Sequence, residues 1–207
     1  MDVTPVTHAS LPVQQRAWET RERILAAAVS CLAEEGYAAT TTSAIQARAE
    51  VSRGSILHQF PSRDDLLIAA VQHLAVQRTD EIDVRDTKGP ETIDEAIDEI
   101  WLTYQGPLFL ASVQLWAAAQ HNRELADALR PREHELGHHI REVITRAFGS
   151  NAAHPAFADL VPILLSSMRG VAITYLFEPR EHAHESHLAA WKRLAHAILD
   201  SGTGSNF

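Results

Sequence analysis

The chain has 207 residues, with 18 Lys plus Arg against 27 Asp plus Glu and a formal net charge of −9. Its 45% hydrophobic content, at a length suited to one mid-sized domain or two small ones, supports a buried core and excludes a disordered or fibrous chain. The single cysteine, Cys31, excludes an intramolecular disulfide and a thiolate-rich zinc site, and the acidic balance argues against a nucleic-acid partner, because Lys and Arg supply most non-specific phosphate binding.

Residues 1–17 are polar, contain Pro5 and Pro12 and show no period, so a flexible arm is expected there, with structure beginning near Trp18. No charged segment followed by an apolar run opens the chain. No stretch approaches the roughly 18 apolar residues of a membrane span, so a soluble, cytoplasmic protein with no membrane partner is expected. From Thr20, the apolar residues Ile24, Leu25, Ala28, Val29 and Leu32 form the stripe of an amphipathic helix that Gly36 ends. Cys31 lies at the edge of that stripe as a packed core thiol.

Thr41 is placed to cap a short helix through Ala44, Ile45 and Ala49. Glu50-Val51-Ser52 interrupts the period, and Ser52 caps a second short helix that ends at Phe60-Pro61. Two short helices joined by three or four residues make a helix-turn-helix. Ser62, followed by Asp64 and Asp65 in the first turn, opens a long helix that fades by Asp83 into a linker over residues 86–90. Further helical patterns cover about 92–104, 108–119, 122–148, 155–177 and 184–200, giving nine helices with no strand, phosphate loop or internal repeat.

The run Gly36-Tyr37-Ala38-Ala39-Thr40-Thr41, then Ile45, Ala49, Val51-Ser52-Arg53-Gly54-Ser55 and Phe60-Pro61-Ser62-Arg63-Asp64-Asp65-Leu66-Leu67, resembles the TetR family of transcriptional regulators over residues 20–75. The resemblance implies an all-α protein. Residues 18–62 would form a three-helix, helix-turn-helix DNA-binding domain, and residues 63–207 a six-helix ligand-binding and dimerisation domain. It also implies a homodimer on a palindromic operator of double-stranded DNA, acting most often as a repressor and released by a small, partly apolar effector. No motif asks for a cofactor.

In such a pair the second helix enters the major groove with its leading residues, here Ser52, Arg53, Gly54 and Ser55. Arg53 has the fork that matches guanine, with a phosphate contact as the alternative; Gly54 permits close approach, and Ser55 can donate to a base or a phosphate. Thr41, Thr42 and Arg48 join the expected DNA surface, and Arg63, standing where the family carries a lysine, is expected as an exposed phosphate clamp. Three positions depart from the usual pattern: Glu50 replaces a glycine, Leu57 a tyrosine and Gln59 an aromatic residue. That moves weight onto His58 and Gln59. Leu57 is expected in the interior, with a thymine methyl contact as the alternative.

The charge objection weakens when divided. Residues 1–75 hold six cations and eight carboxylates, a net −2, and residues 76–207 hold 12 and 19, a net −7. A head with so few cations requires a dimer on two half-sites.

For the body, Trp101, Tyr104, Phe109, Leu115, Trp116 and Met168 are candidate pocket residues, with His73, Gln105 and Gln114 as orienting groups. Gly106-Pro107 breaks the helix among them. Residues 160–177 are apolar nearly all round, so that helix needs cover on more than one side. Leu164, Ser167, Gly170 and Val171, with Leu188, Trp191, Leu194 and Ile198 of the last helix, are the expected dimer face, a monomer core being the alternative.

His134-Glu135-Leu136-Gly137-His138 matches the H-E-x-x-H zinc motif and raises the alternative of a zinc-dependent hydrolase. Arg141 and Ile144 stand where the extended motif needs glycine and a third histidine, which disfavours it. His182, His184 and His187 read as a solvated loop, with metal sensing as the alternative, and a helical adaptor without DNA binding is a third possibility for the whole chain.

Overall fold

A computed structural model describes residues 13–85, 92–178 and 183–202. Nine helices and no strand occur among them: α1 Val13–Ala39, α2 Thr42–Ala49, α3 Arg53–Gln59, α4 Arg63–Arg85, α5 Ile93–Thr103, α6 Pro107–Ala119, α7 Arg123–Ala147, α8 Phe157–Phe177 and α9 Ala183–Leu199. The expected linker over 86–90 and the first twelve residues of the expected arm lie outside the described residues. The rest of the arm is a correction, because α1 begins at Val13, ahead of Trp18. Polar helix formers such as Gln14, Gln15 and Arg16 add a turn that an apolar period does not register.

Local chemistry sets the boundaries. Gly36 leaves the helix at φ 78°, ψ 170°, and Thr40, fully buried, returns both its amide and its hydroxyl to the Gly36 carbonyl. The Thr41 hydroxyl accepts the Ala44 amide at 3.1 Å, and Ser52 caps Ser55 at 3.2 Å, as expected. Thr92 and Glu95 form a reciprocal capping box at the start of α5. Gly106, at φ 88°, makes the turn before Pro107 opens α6, where a proline amide is not missed.

Glu50 is the one non-glycine residue with positive φ among the described residues, at φ 53°, ψ 48°. An L-residue there is strained by about 1–2 kcal/mol, offset on replacement by glycine's greater loss of freedom, roughly 0.5–1 kcal/mol. Glu50→Gly is therefore expected to raise stability by about 0.5–1 kcal/mol, read as an upward shift in the midpoint of chemical unfolding. A lower midpoint would show that the side chain contributes something the backbone geometry does not explain.

Two cores organise the molecule. The first joins Leu25, Ala28 and Leu32 of α1 to Ile45 of α2, Ile56 of α3 and Leu66, Leu67 and Val71 of α4. It continues without a break into Ala111 and Leu115 of α6 and Leu125 and Leu129 of α7. The expected division at residue 62 is thus not a division of the core, and α4 serves head and body together. The second core gathers α5, α8 and α9 around Trp101, whose ring lies 5.1 Å from Trp191 and 6.5 Å from Tyr175. Lys192 donates to Asp98 at 2.7 Å and His196 meets Asp94 at 3.0 Å, tying α9 to α5.

One expectation about α8 fails: by length and composition it is apolar enough to cross a membrane. Leu160, Leu164 and Met168 pack into the second core, yet only 28% of its apolar stretch is buried within its own chain. The outward face carries Ile163, Gly170, Ile173 and Phe177, the last 92% exposed, and Leu194 of α9 is also uncovered.

Candidate nucleic-acid interface and effector cavity

The head presents α3 on one side. Ile56 points into the core, and Arg53, Gly54, Leu57 and His58 point out. Ser52, Gly54, Ser55, His58 and Gln59 line a shallow cleft whose other wall is Arg16, Ala17 and Thr20 of α1. Arg16 and Thr20 were not read from the sequence, because the first turns of α1 carry no apolar stripe. Thr41 and Arg53 are exposed and Thr42 is half-buried, so these expected contacts remain accessible.

Two expected phosphate contacts are engaged elsewhere. Arg48 reaches back to α1, 2.6 Å from Glu34 and 3.6 Å from Glu35, and its guanidinium holds the Glu34 carboxyl below the usual range. Arg63 is half-buried instead of exposed. Its Nε donates to the Thr40 carbonyl at 2.5 Å, Nη2 to the Tyr37 carbonyl, and Nη1 to Asp64 at 3.3 Å. The guanidinium also lies 4.2 Å from the centroid of the Tyr37 ring, while the Tyr37 hydroxyl donates to Asp64 at 2.8 Å. The carbonyls released by the Gly36 break need donors, and Arg63 supplies them. Leu57 is the opposite correction: expected inside, it is 57% exposed, because Ile56 already fills the inward direction of a seven-residue helix.

Behind the head, helices α4 to α8 enclose a cavity of about 180 Å³. Of the nine candidate residues, Tyr104, Phe109 and Trp116 line it. The other six candidates lie elsewhere. His73 pairs with Glu22 of α1 at 2.6 Å, and Gln114 packs against Gly36. Leu115 belongs to the first core, Trp101 and Met168 to the second, and Gln105 is exposed. Helical period identifies an inward face but not which neighbour it meets.

The lining also includes charged groups that were missed: Arg78, Glu99, Glu133 and Arg169. A signal was present in α7, where Glu133 opens a stripe continued by Leu136, Gly137, Ile140 and Ile144 at helical spacing. Burial pushes the Glu133 carboxyl up, opposed by a hydrogen bond with Trp116 and by Arg169. Burial likewise raises the Tyr104 phenol against the pull of Arg169, and the Tyr104 hydroxyl donates to the Leu165 carbonyl at 3.2 Å. The Arg169 guanidinium sits 5.1 Å from the Trp116 ring centroid. Trp116, Glu133 and Arg169 also line an outer cleft beside Gln120 and Arg130, so these three side chains separate the cavity from the surface there.

On the expected dimer face, Leu164 and Trp191 are corrections. Leu164 is buried in the second core, and Trp191 stacks near Trp101 and donates its indole N–H to Ser167 at 3.0 Å. Val171, Leu188 and Ile198 are half-buried against the same core, whereas Gly170, Ser167 and Leu194 are exposed. His134 and His138 are exposed on α7, and Glu135 pairs with Arg132 at 3.2 Å. Among the described residues no three metal-ligating side chains gather. His182 and the side chain of His184 lie outside the described residues, and His187 hydrogen-bonds Tyr175 at 2.9 Å.

A helix-turn-helix head sharing its core with a helical body that holds an internal cavity defines a DNA-binding transcriptional regulator, a class that is not enzymatic. Residues 24–70 match the family described as bacterial regulatory proteins, tetR family, so the match covers the helix-turn-helix head and the start of α4. It is 28% identical over 180 residues to the HTH-type transcriptional regulator CymR of Pseudomonas putida, spanning 83% of this chain and 86% of that protein. Its fold is similar to a TetR transcription regulator from Haloarcula marismortui, with TM-score 0.65, 20% identity, and 89% and 98% of the two chains covered. It is also similar to the multidrug binding protein EbrR complexed with imidazole, with TM-score 0.60, 22% identity, and 84% and 93% covered.

Proposed function

We propose that this chain is a ligand-responsive repressor, acting in the cytoplasm as a homodimer on a palindromic operator and released when a small, partly apolar effector fills the cavity. The observation that carries this reading is the position of Trp116. It lines the cavity and packs against both cores, so anything that moves its ring acts at once on the core holding α1 and α4. The cavity volume of about 180 Å³ suits a ligand of one or two rings. The aromatic walls favour an apolar body, and Tyr104, Glu133 and Arg169 favour a polar group at one end. The imidazole in EbrR is in keeping with a small ring as ligand.

The uncovered stripe of α8 supports the dimer. Effector binding would favour a dimer in which α4 has swung, taking the two α3 helices off the roughly 34–36 Å spacing of successive major grooves. A coupling of about 1–3 kcal/mol changes operator affinity roughly 5- to 150-fold. Thr41, Thr42, Ser52, Arg53, Ser55, His58 and Gln59 remain the proposed contacts, joined by Arg16, while Arg48 and Arg63 are assigned to holding the head together.

Footprinting on the DNA flanking the gene, repeated with a panel of small aromatic and heterocyclic metabolites, tests the reading. Arg53→Ala is expected to weaken binding to the protected sequence roughly 5- to 100-fold with dimerisation intact. Unchanged affinity would remove Arg53 from the interface, and the absence of any protected sequence would favour the adaptor reading.

A further inference from the structure

We propose that Leu57 is a specificity residue, packing against the C5 methyl group of a pyrimidine, a thymine in unmodified DNA, in each operator half-site. The inference rests on the operator-binding reading and deepens it. Leu57 is 57% exposed at the centre of the outward face of α3, four residues after Arg53 and three after Gly54, with His58 beside it. Ala17 is the one apolar side chain lining the cleft next to it, and Leu57 is the one large apolar side chain that α3 itself turns outward. It belongs to neither core, and the exposed apolar stripe of α8 is on another part of the molecule.

Gly54 adds a second, independent observation. A glycine within a short helix is unfavourable, and here the fold does not require it: its φ is not positive, and an added Cβ would meet only the Ser52 hydroxyl, at 3.8 Å. The helix surface one turn before Leu57 is therefore left bare for no internal reason. That lets the backbone approach a partner closely and makes the two Leu57 methyls the leading feature of the face. Apart from the small C–H edges of cytosine and the purines, every other group that bases present at the major-groove edge is a hydrogen-bond donor or acceptor, which leucine cannot satisfy. The thymine C5 methyl is the apolar exception. A Leu57 placed over cytosine would find no such partner, and placed over a purine it would leave acceptors desolvated.

The test uses the full chain and a randomised duplex library. The wild-type protein is expected to enrich a palindrome with one thymine per half-site whose preference is lost with Leu57→Ala; the exposed position allows this replacement without a fall in thermal midpoint. Replacing those thymines by deoxyuridine removes only the methyl groups. Wild-type affinity should fall about fourfold per half-site, or roughly 15-fold for both, and the affinity of Leu57→Ala should not change. Placing 5-methylcytosine, paired with guanine, at the same positions should recover part of the loss relative to cytosine, identifying the methyl group and not the base as what is read. Equal wild-type affinity for thymine and deoxyuridine at every enriched position, or an unchanged thymine preference in Leu57→Ala, overturns this inference while leaving operator binding intact. A folded dimer that enriches no sequence overturns both.

Discussion

Carboxylates at two positions of the α8 stripe, Ile163→Asp with Ile173→Asp, are expected to leave the protein monomeric and to lower operator affinity by two orders of magnitude or more. Ile163 is 58% and Ile173 42% exposed in the single chain, so neither substitution opens a hole in its core. Apposed across a two-fold axis, they would place four charges in an apolar contact, where an uncompensated buried charge costs several kcal/mol. The effect on DNA follows from the head's few free cations. With Arg48 bound to Glu34 and Arg63 bound to backbone carbonyls, a single head has little with which to neutralise phosphates. Two linked heads gain from the high effective concentration of the second half-site, and a monomer loses that gain. Sedimentation equilibrium and gel-shift titration measure the two effects. A variant that remains dimeric with unchanged helical content would place the dimer contact elsewhere.

Arg63→Ala is expected to cost about 2–3 kcal/mol of stability, equivalent to a fall of roughly 4–12 °C in thermal midpoint for a chain of this size. The loss comes mainly from stranding the Tyr37 and Thr40 carbonyls, which Arg63 serves where α1 has already broken at Gly36. The stacking on Tyr37 is lost with it. Arg63→Lys should recover less than half, because one ammonium does not reproduce a planar fork that serves two carbonyls and stacks on a ring. Differential scanning calorimetry gives the comparison. If Arg63→Ala melts within a degree of wild type but binds the operator tenfold more weakly, the residue is a phosphate contact after all.

Arg63 and the α8 stripe mark how far the sequence could be read. Each helix beyond the head emerged within two residues of its expected ends, because Thr92, Pro107 and Asn122 are strong start signals and the apolar stripes between them are regular. Thr41 and Ser52 were found as caps for the same reason: a cap is a local interaction between residues three apart. Arg63 shows the limit. Its partners are 23 and 26 residues away, at a break whose orphaned carbonyls become visible only when the chain is folded. The cavity shows the same limit in three dimensions. Phe109 and Trp116 line it and Leu115 does not, although all three lie on α6, because α6 meets α1 on one side and the other cavity-lining helices on the other. The all-round apolar character of α8 predicted a second covered face, but Leu164 and Ile163 are neighbours in sequence, and only packing reveals that the first faces inward and the second outward.

The continuity of the first core also bears on modularity. Regulators of this shape invite the idea that reading heads are interchangeable cassettes cut after the third helix. Here Ala111 and Leu115 of α6, with Leu125 and Leu129 of α7, complete the interior that α1 begins. A head transplanted without them carries an unfinished hydrophobic surface into its new host. The transferable unit is therefore a three-dimensional one, discontinuous in sequence, and divergence of the body is constrained wherever α6 and α7 must keep matching α1.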